Sequence, residues 1–348
     1  MYKNILRVAL APSLLSFMLF ACQKDLKDGS MSAQQHQDAK FSQPGEPTQL
    51  VTGLEVSFGS TTGPTGDLFV PNAISGEIYR IDTKTGDRSL FASGLPQMIP
   101  EVGIGGIMDV AFIGKTAYAL ISLVDDPIGF PTGQVNGIYR INGPDSYTII
   151  ADIGAYNFAH QPSEFPIDVF TGVQYSFEPY RGGFIVTDGH FNRIFNVTLD
   201  GDVTPVRQFG NIVPTGLAIK GNQIFFSEAG PVPHDPADGK VMSFSSNSAG
   251  TTNIASGAPL LVDVEFGRGQ TMFALSQGDF SGDPAGYPAL PNTGSLVRVN
   301  SNGTLSVVAD EFDRPTSFEI IGNTAYIITL TGEVWVVDNI ASPPFGSN

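Results

Sequence analysis

The chain has 348 residues, 41% hydrophobic and 15% charged, with 40 glycines, 25 prolines and a formal net charge of −16. Few charges and abundant turn formers fit an all-β protein better than a helical one. The acidic balance excludes nucleic acid as an expected partner, because phosphate binding needs clustered Lys and Arg, and fits divalent cations or plain solubility.

Lys3 and Arg7 precede an apolar run from Val8 to Phe20, followed by Ala21 and Cys22. A charged start, a short apolar middle and a small residue before the cut predict a signal peptide over residues 1–21. The run is shorter than the roughly 20 residues that a membrane-spanning helix needs. Cys22, the chain's one cysteine, excludes an intramolecular disulfide and a cysteine-rich metal site. Its position after a small residue resembles a bacterial lipobox, so Cys22 is expected to carry lipid and become the mature N-terminus; the alternative is ordinary secretion with a bystander cysteine. Gln23-Lys-Asp-Leu-Lys-Asp28 resembles the acidic export signal of some Bacteroidota surface lipoproteins. The expected location is the bacterial cell envelope, lipid-anchored in the outer membrane, with surface exposure one of two orientations. Residues 22–47 are polar and read as a flexible tether.

Beyond the tether one stretch organises the chain. Gly76-Glu-Ile-Tyr-Arg-Ile-Asp82 returns in altered form at residues 136–142, 192–198, 239–245, 294–300 and 332–338. Each copy has apolar third and sixth positions and a turn former at one or both ends, which is a strand written six times. The spacing is that of propeller blades with insertions. Innermost strands are read at 54–58, 108–112, 171–175, 215–219, 262–266 and 316–320. Outer strands number five for six blades, and the missing one is supplied by Thr48-Gln-Leu-Val51. The prediction is an all-β six-bladed propeller over 48–338, closed by an N-terminal strand that completes the C-terminal blade, with 339–348 a tail; seven blades are the less favoured count. A closed ring also predicts a monomer.

The long connections, at 95–107, 122–135, 152–170, 228–238 and 276–293, all belong to the two classes that emerge on one end of a four-stranded meander. Loops on a rigid scaffold are where function usually sits. The second residues of the inner strands, expected at the channel mouth, are Glu55, Asp109, Gly172, Gly216, Asp263 and Ser317. Second strands run out into Asn72, Asp188, Glu228, Ser276 and Thr329. Hard oxygen donors of this kind suit Ca²⁺ or Mg²⁺, so Glu55, Asp109, Asp263, Asp188 and Glu228 form a candidate metal set. The bland alternative is a polar channel holding ordered water.

In Thr187-Asp-Gly-His190, His190 is a candidate general base if Asp188 or another carboxylate orients it. The competing reading is a turn in which Asp188 caps backbone amides and Gly189 supplies a positive φ. His160 and His234 have no partner at ligand spacing. No Gly-x-Ser-x-Gly elbow is present, Gly103-Ile-Gly-Gly106 opens no predicted helix, and Asp279-Phe-Ser-Gly-Asp283 lacks the rest of an EF-hand pattern. The sequon Asn196-Val-Thr198 lies inside a predicted strand, and Trp335 is read as core.

Gly94-Leu-Pro96, residues 108–112, 182–188, 214–218 and 261–266, and Arg314-Pro-Thr-Ser317 together resemble the ScyD-like propeller family, named for members in scytonemin gene clusters. The Pro214-Thr-Gly-Leu-Ala218 element is shared with NHL-type and lactonase-like propellers. The resemblance implies a secreted or periplasmic propeller of undefined biochemical role. Two functions follow from the sequence. One is a module whose long-loop face binds a protein, glycan or small molecule. The other is a Ca²⁺-dependent hydrolase similar to gluconolactonases and paraoxonases, with the metal at the channel mouth.

Overall fold

The computed structural model describes residues 43–163, 167–282, 287–343 and 345. The signal peptide, Cys22 and most of the tether lie outside the described residues. The described chain forms six four-stranded antiparallel sheets, arranged as the six blades of a propeller. We number the blades by their inner strands: Thr61–Thr62, Gly106–Ile113, Gln174–Tyr180, Pro214–Lys220, Leu261–Phe266 and Pro315–Ile321.

The burial of each strand follows its place in the blade. Second strands such as Leu68–Asn72, Gly183–Asp188 and Met272–Ser276 are buried at every position. They are sandwiched between neighbouring blades and so read as continuous apolar runs. Outer strands are exposed over much of their length, as in Ser146–Asp152. The core therefore lies between blades. Between blades 1 and 2, Phe69 packs edge-on against Phe91 and Phe112, with ring centroids 4.8 Å apart in both pairs. Each such buried ring contributes roughly 1.5–3 kcal/mol.

Hydroxyls stitch neighbouring blades. Thr215 Oγ1 donates to the Leu261 carbonyl at 2.8 Å, and Thr316 Oγ1 to the Ser57 carbonyl at 3.0 Å. The latter joins blade 6 to blade 1. The ring is closed as the sequence predicts: Thr48–Val51 pairs antiparallel with Val334–Asp338, and Gly45 N–H donates to the Asp338 carbonyl at 2.7 Å. Asp338 leads to Ile340, which bonds Asn323 in the short turn between the first two strands of blade 6. The chain thus enters the propeller at the end opposite the long connections.

Two inner strands are corrected. Those read at 54–58 and 171–175 begin further along, at Thr61 and Gln174. Glu55 has φ 60°, flanked by Gly53 at φ 72°, and Gly172 has φ 73°. Left-handed residues turn the chain and cannot sit in a regular strand. The connection 153–173 also contains a short helix, Ile153–Ala159, where a loop is predicted. Asp152 caps it, accepting from Ala155 N–H at 2.7 Å.

Candidate functional site

With the corrected register, the ring of residues around the channel is Gly59, Asp109, Ser176, Gly216, Asp263 and Ser317. The order Gly-Asp-Ser occurs twice, once in each half of the propeller. Asp109 Oδ1 accepts from Val110 N–H at 2.9 Å, and Oδ2 accepts from Ser176 Oγ at 2.9 Å and Phe177 N–H at 3.1 Å on the next blade. Asp263 repeats this, accepting from Val264 N–H at 2.9 Å and from Phe318 N–H of the next blade at 3.0 Å. Each carboxylate also leans over a glycine of the preceding blade. A Cβ at Gly59 would meet Asp109 Oδ1 at 2.3 Å, and one at Gly216 would meet Asp263 Oδ1 at 2.3 Å. The two aspartates are therefore cross-blade latches that need glycine on one side and a free amide on the other.

Two residues further along the strands, Glu178, Glu265 and Glu319 form a second layer, with Thr62 Oγ1 donating to Glu319 Oε2 at 2.8 Å. Five carboxyl groups thus line a cavity of about 10 Å³, room for roughly one water. No Lys, Arg or His lines it. Burial lifts the Asp109 carboxyl to about 7 and that of Glu319 to about 8, and pushes Glu178, Asp263 and Glu265 well above the usual carboxylate range. Mutual repulsion adds to burial in Glu178, Asp263, Glu265 and Glu319. On the loop side of these layers Tyr175 crosses the channel. It belongs to blade 3, and its hydroxyl donates at 3.3 Å to the Thr316 carbonyl of blade 6, directly opposite. Burial and the nearby Asp263 and Asp109 push the phenol further up, so it stays a donor.

The structure does not bring the five candidate metal ligands together. Asp109 and Asp263 share the channel. Glu55, read as a ring residue, is exposed on a left-handed turn and accepts from Asn72 Nδ2 at 3.0 Å; Gly59 holds the ring position instead. Asp188 is fully buried and takes four donors: Asn157 Nδ2 at 2.6 Å, Gln174 Nε2 at 2.8 Å, Phe191 N–H at 2.9 Å and Val173 N–H at 3.1 Å. It therefore knits the strand end together: it caps Val173 and Phe191 N–H as the turn alternative predicts, but Gly189 does not take the positive φ expected there. Glu228 lies by Lys240 and Asp238, its carboxyl raised to about 7 by burial. His190 Nε2 approaches Asp168 Oδ1 at 3.1 Å, so its carboxylate partner is an exposed loop residue and not Asp188. Among the described residues no group of three or more His, Cys, Asp or Glu side chains is arranged to hold a metal ion.

The sequence reading missed six channel residues, among them the ring positions Gly59 and Ser176. Glu265 and Glu319 follow Asp263 and Ser317 by two, so strand alternation alone puts them on the same side. Glu178 and Tyr175 were hidden by the register error in blade 3.

The loop end differs from the channel. Its connections are tied to one another: Asp126 accepts from Phe170 N–H, Thr171 Oγ1 donates to the Asp125 carbonyl, and Asn192 Oδ1 accepts from Ile212 and Val213 N–H. Among the described residues the connections at this end hold ten carboxylates and one basic residue, Arg314, which is paired with Asp313 at 2.6 Å. The short turns within blades at the opposite end hold four basic residues, Lys84, Lys115, Arg181 and Arg268, against six carboxylates.

No protein-family model and no curated protein matches this chain. Solved propellers do. A gluconolactonase from Xanthomonas campestris superposes with TM-score 0.56 at 10% identity, over 84% of this chain and 89% of that one. A virginiamycin B lyase from Staphylococcus aureus gives TM-score 0.51 at 14% identity, over 84% and 98%. A chain of a nidogen/laminin complex gives 0.50 at 14% identity, over 75% and 84%. At such identities the likeness establishes the six-bladed architecture and nothing finer.

Proposed function

We propose that this chain is an exported, lipid-anchored propeller that works as a binding module through its long-loop end, beside the ScyD-like propellers whose ordered motifs it resembles. The observation that carries the reading is the contrast between the two candidate sites. The channel is spanned by Tyr175, and each aspartate is bonded through Oδ1 within its own strand and through Oδ2 to the next blade. The loop end carries the long connections, and buried Asp126, Asp188 and Asn192 hold them by accepting from backbone amides. Pre-organised loops lose little freedom on binding, which favours recognition. The described chain enters the propeller at the opposite end. The test is capture from the native envelope with the wild-type chain and with variants in which 123–136 or 277–293 is replaced by a short turn. Loss of the captured partner in a folded variant supports the reading; full retention in both overturns it.

A second reading, a Ca²⁺-dependent lactonase- or esterase-like hydrolase, draws on Asp109 and Asp263 sharing one channel and on the gluconolactonase fold. The donor set fits it poorly, because each carboxylate already accepts from an amide of its own strand through Oδ1 and from one of the next blade through Oδ2. Lactone turnover that disappears in Asp109→Ala and Asp263→Ala would favour it.

A further inference from the structure

Resting on the binding reading, we propose that the occupant of the loop end is a cationic, amphipathic polypeptide. Two independent features of that end point to this chemistry. The first is charge: the connections there hold ten carboxylates and one arginine, already paired, and Lys240 at the adjoining strand end lies 3.9 Å from Asp238. Asp125 and Asp126 spend their side-chain oxygens on backbone amides, but Glu55, Glu101, Asp168, Asp235 and Asp279 are exposed. These are spread over connections from several blades, so they make a broad negative field and not a chelating cluster.

The second feature is apolar. Large hydrophobic side chains stand exposed on the same connections: Ile128 at 64%, Tyr287 at 57% and Val232 at 47%, with Leu290, Phe158 and Ile74 near 40%. Burying several such side chains against an apolar partner supplies attraction that the carboxylates alone do not. They sit on connections of blades 1, 2, 4 and 5, on both sides of the ring, a spread that suits an extended partner better than one small molecule. A polypeptide with basic residues around apolar ones matches both features. An anionic lipid surface fails on charge, and a neutral glycan uses the aromatics but not the field.

The carboxylates steer encounter and the anchors set the dissociation rate. Binding should therefore weaken with salt, since screening acts within about 8 Å at physiological ionic strength.

The probe is a labelled Lys/Leu amphipathic peptide, with Glu/Leu and Lys/Ser peptides as controls, measured by fluorescence anisotropy against the full chain. We expect the Lys/Leu peptide to bind best, losing about tenfold in affinity between roughly 50 and 300 mM salt. Glu101→Lys with Asp279→Lys, and separately Ile128→Ser with Tyr287→Ser, should each weaken it by about tenfold. Lys115→Glu at the turn end should leave it unchanged. All five positions are surface groups, so folding is not at stake. Equal binding of the three peptides, or indifference to both loop-end variants, overturns the inference. The parent reading fails separately: it survives if the loop-end variants abolish capture of an acidic protein or a glycan, and falls if no captured ligand responds to them.

Discussion

Raising the pH should loosen this propeller, opposite to the usual behaviour of carboxylate-rich proteins. The perturbation is ionisation of the channel carboxyls, which the folded ring holds protonated by burial and mutual repulsion. Their folded affinities for protons exceed the unfolded ones, so between the two values the native state binds more protons and stability falls as pH rises. Below about pH 4 the contribution is fully present; it is lost through the window up to about 7 for Asp109 and about 8 for Glu319. Each tenfold difference in proton affinity is worth about 1.4 kcal/mol. Asp109, lifted from 3.8 to about 7, thus accounts alone for on the order of 4 kcal/mol. For a domain of this size that is roughly 10 °C in Tm. Asp67 and Asp82, held below the ordinary range by hydrogen bonds to Thr65 and to the Lys84 and Thr85 amides, act in the other direction but only in more acid solution. Thermal melting followed by circular dichroism from about pH 5 to pH 8 should give a steadily falling Tm. Glu319→Gln, which keeps an acceptor for Thr62 while removing a charge, should flatten the slope and raise Tm at the alkaline end. A Tm that is flat or rises over this range in the wild type, or a slope untouched by Glu319→Gln, would refute the reasoning.

Other consequences are more local. Gly216→Ala forces a methyl against Asp263 Oδ1 and the Asp263 backbone, so it should destabilise by about 1–3 kcal/mol or more in chemical denaturation. Asp188→Ala strands four buried donors at once and should cost on the order of 3–5 kcal/mol, whereas His190→Ala should cost less than about 1 in the same assay. Tyr175→Phe removes one hydrogen bond across the channel and should lower stability by about 1 kcal/mol while leaving partner capture intact. Cys22→Ser should abolish labelling by a radiolabelled fatty acid and release the chain from membranes; labelling that persists would refute lipidation at Cys22.

The fold was legible because the same strand is written six times and because each second strand is a continuous apolar run between blades. Closure by Thr48–Val51 could be deduced by counting outer strands. The channel was only half legible. Four ring positions, Asp109, Gly216, Asp263 and Ser317, follow from the repeat because their inner strands start where the motif does. A left-handed residue precedes the inner strand in every blade (Glu55, Gly105, Gly172, Val213, Leu260 and Arg314); in blades 1 and 3 it falls inside the stretch read as strand, and nothing in Leu54-Glu-Val-Ser-Phe58 marks it. The error placed Glu55 in the ring and hid Ser176, Glu178 and Tyr175. Asp188 shows a different limit: its burial is set by Asn157 and Gln174, which reach it from elements 31 and 14 residues away. Local sequence carries no trace of such partners. The charge contrast between the two ends was present in the composition but became visible only when the connections were sorted by end.

The loop end as the working surface, with the channel as a structural pin, is tested most directly by melting curves of the full chain in Ca²⁺ and in chelator, read beside elemental metal analysis. A ligand bound only by the native state raises Tm by mass action. We predict superimposable curves, no stoichiometric metal, and no change in Asp109→Asn beyond that variant's own stability. Stoichiometric Ca²⁺ with a Tm increase that vanishes in Asp109→Asn would contradict the account and move function into the channel.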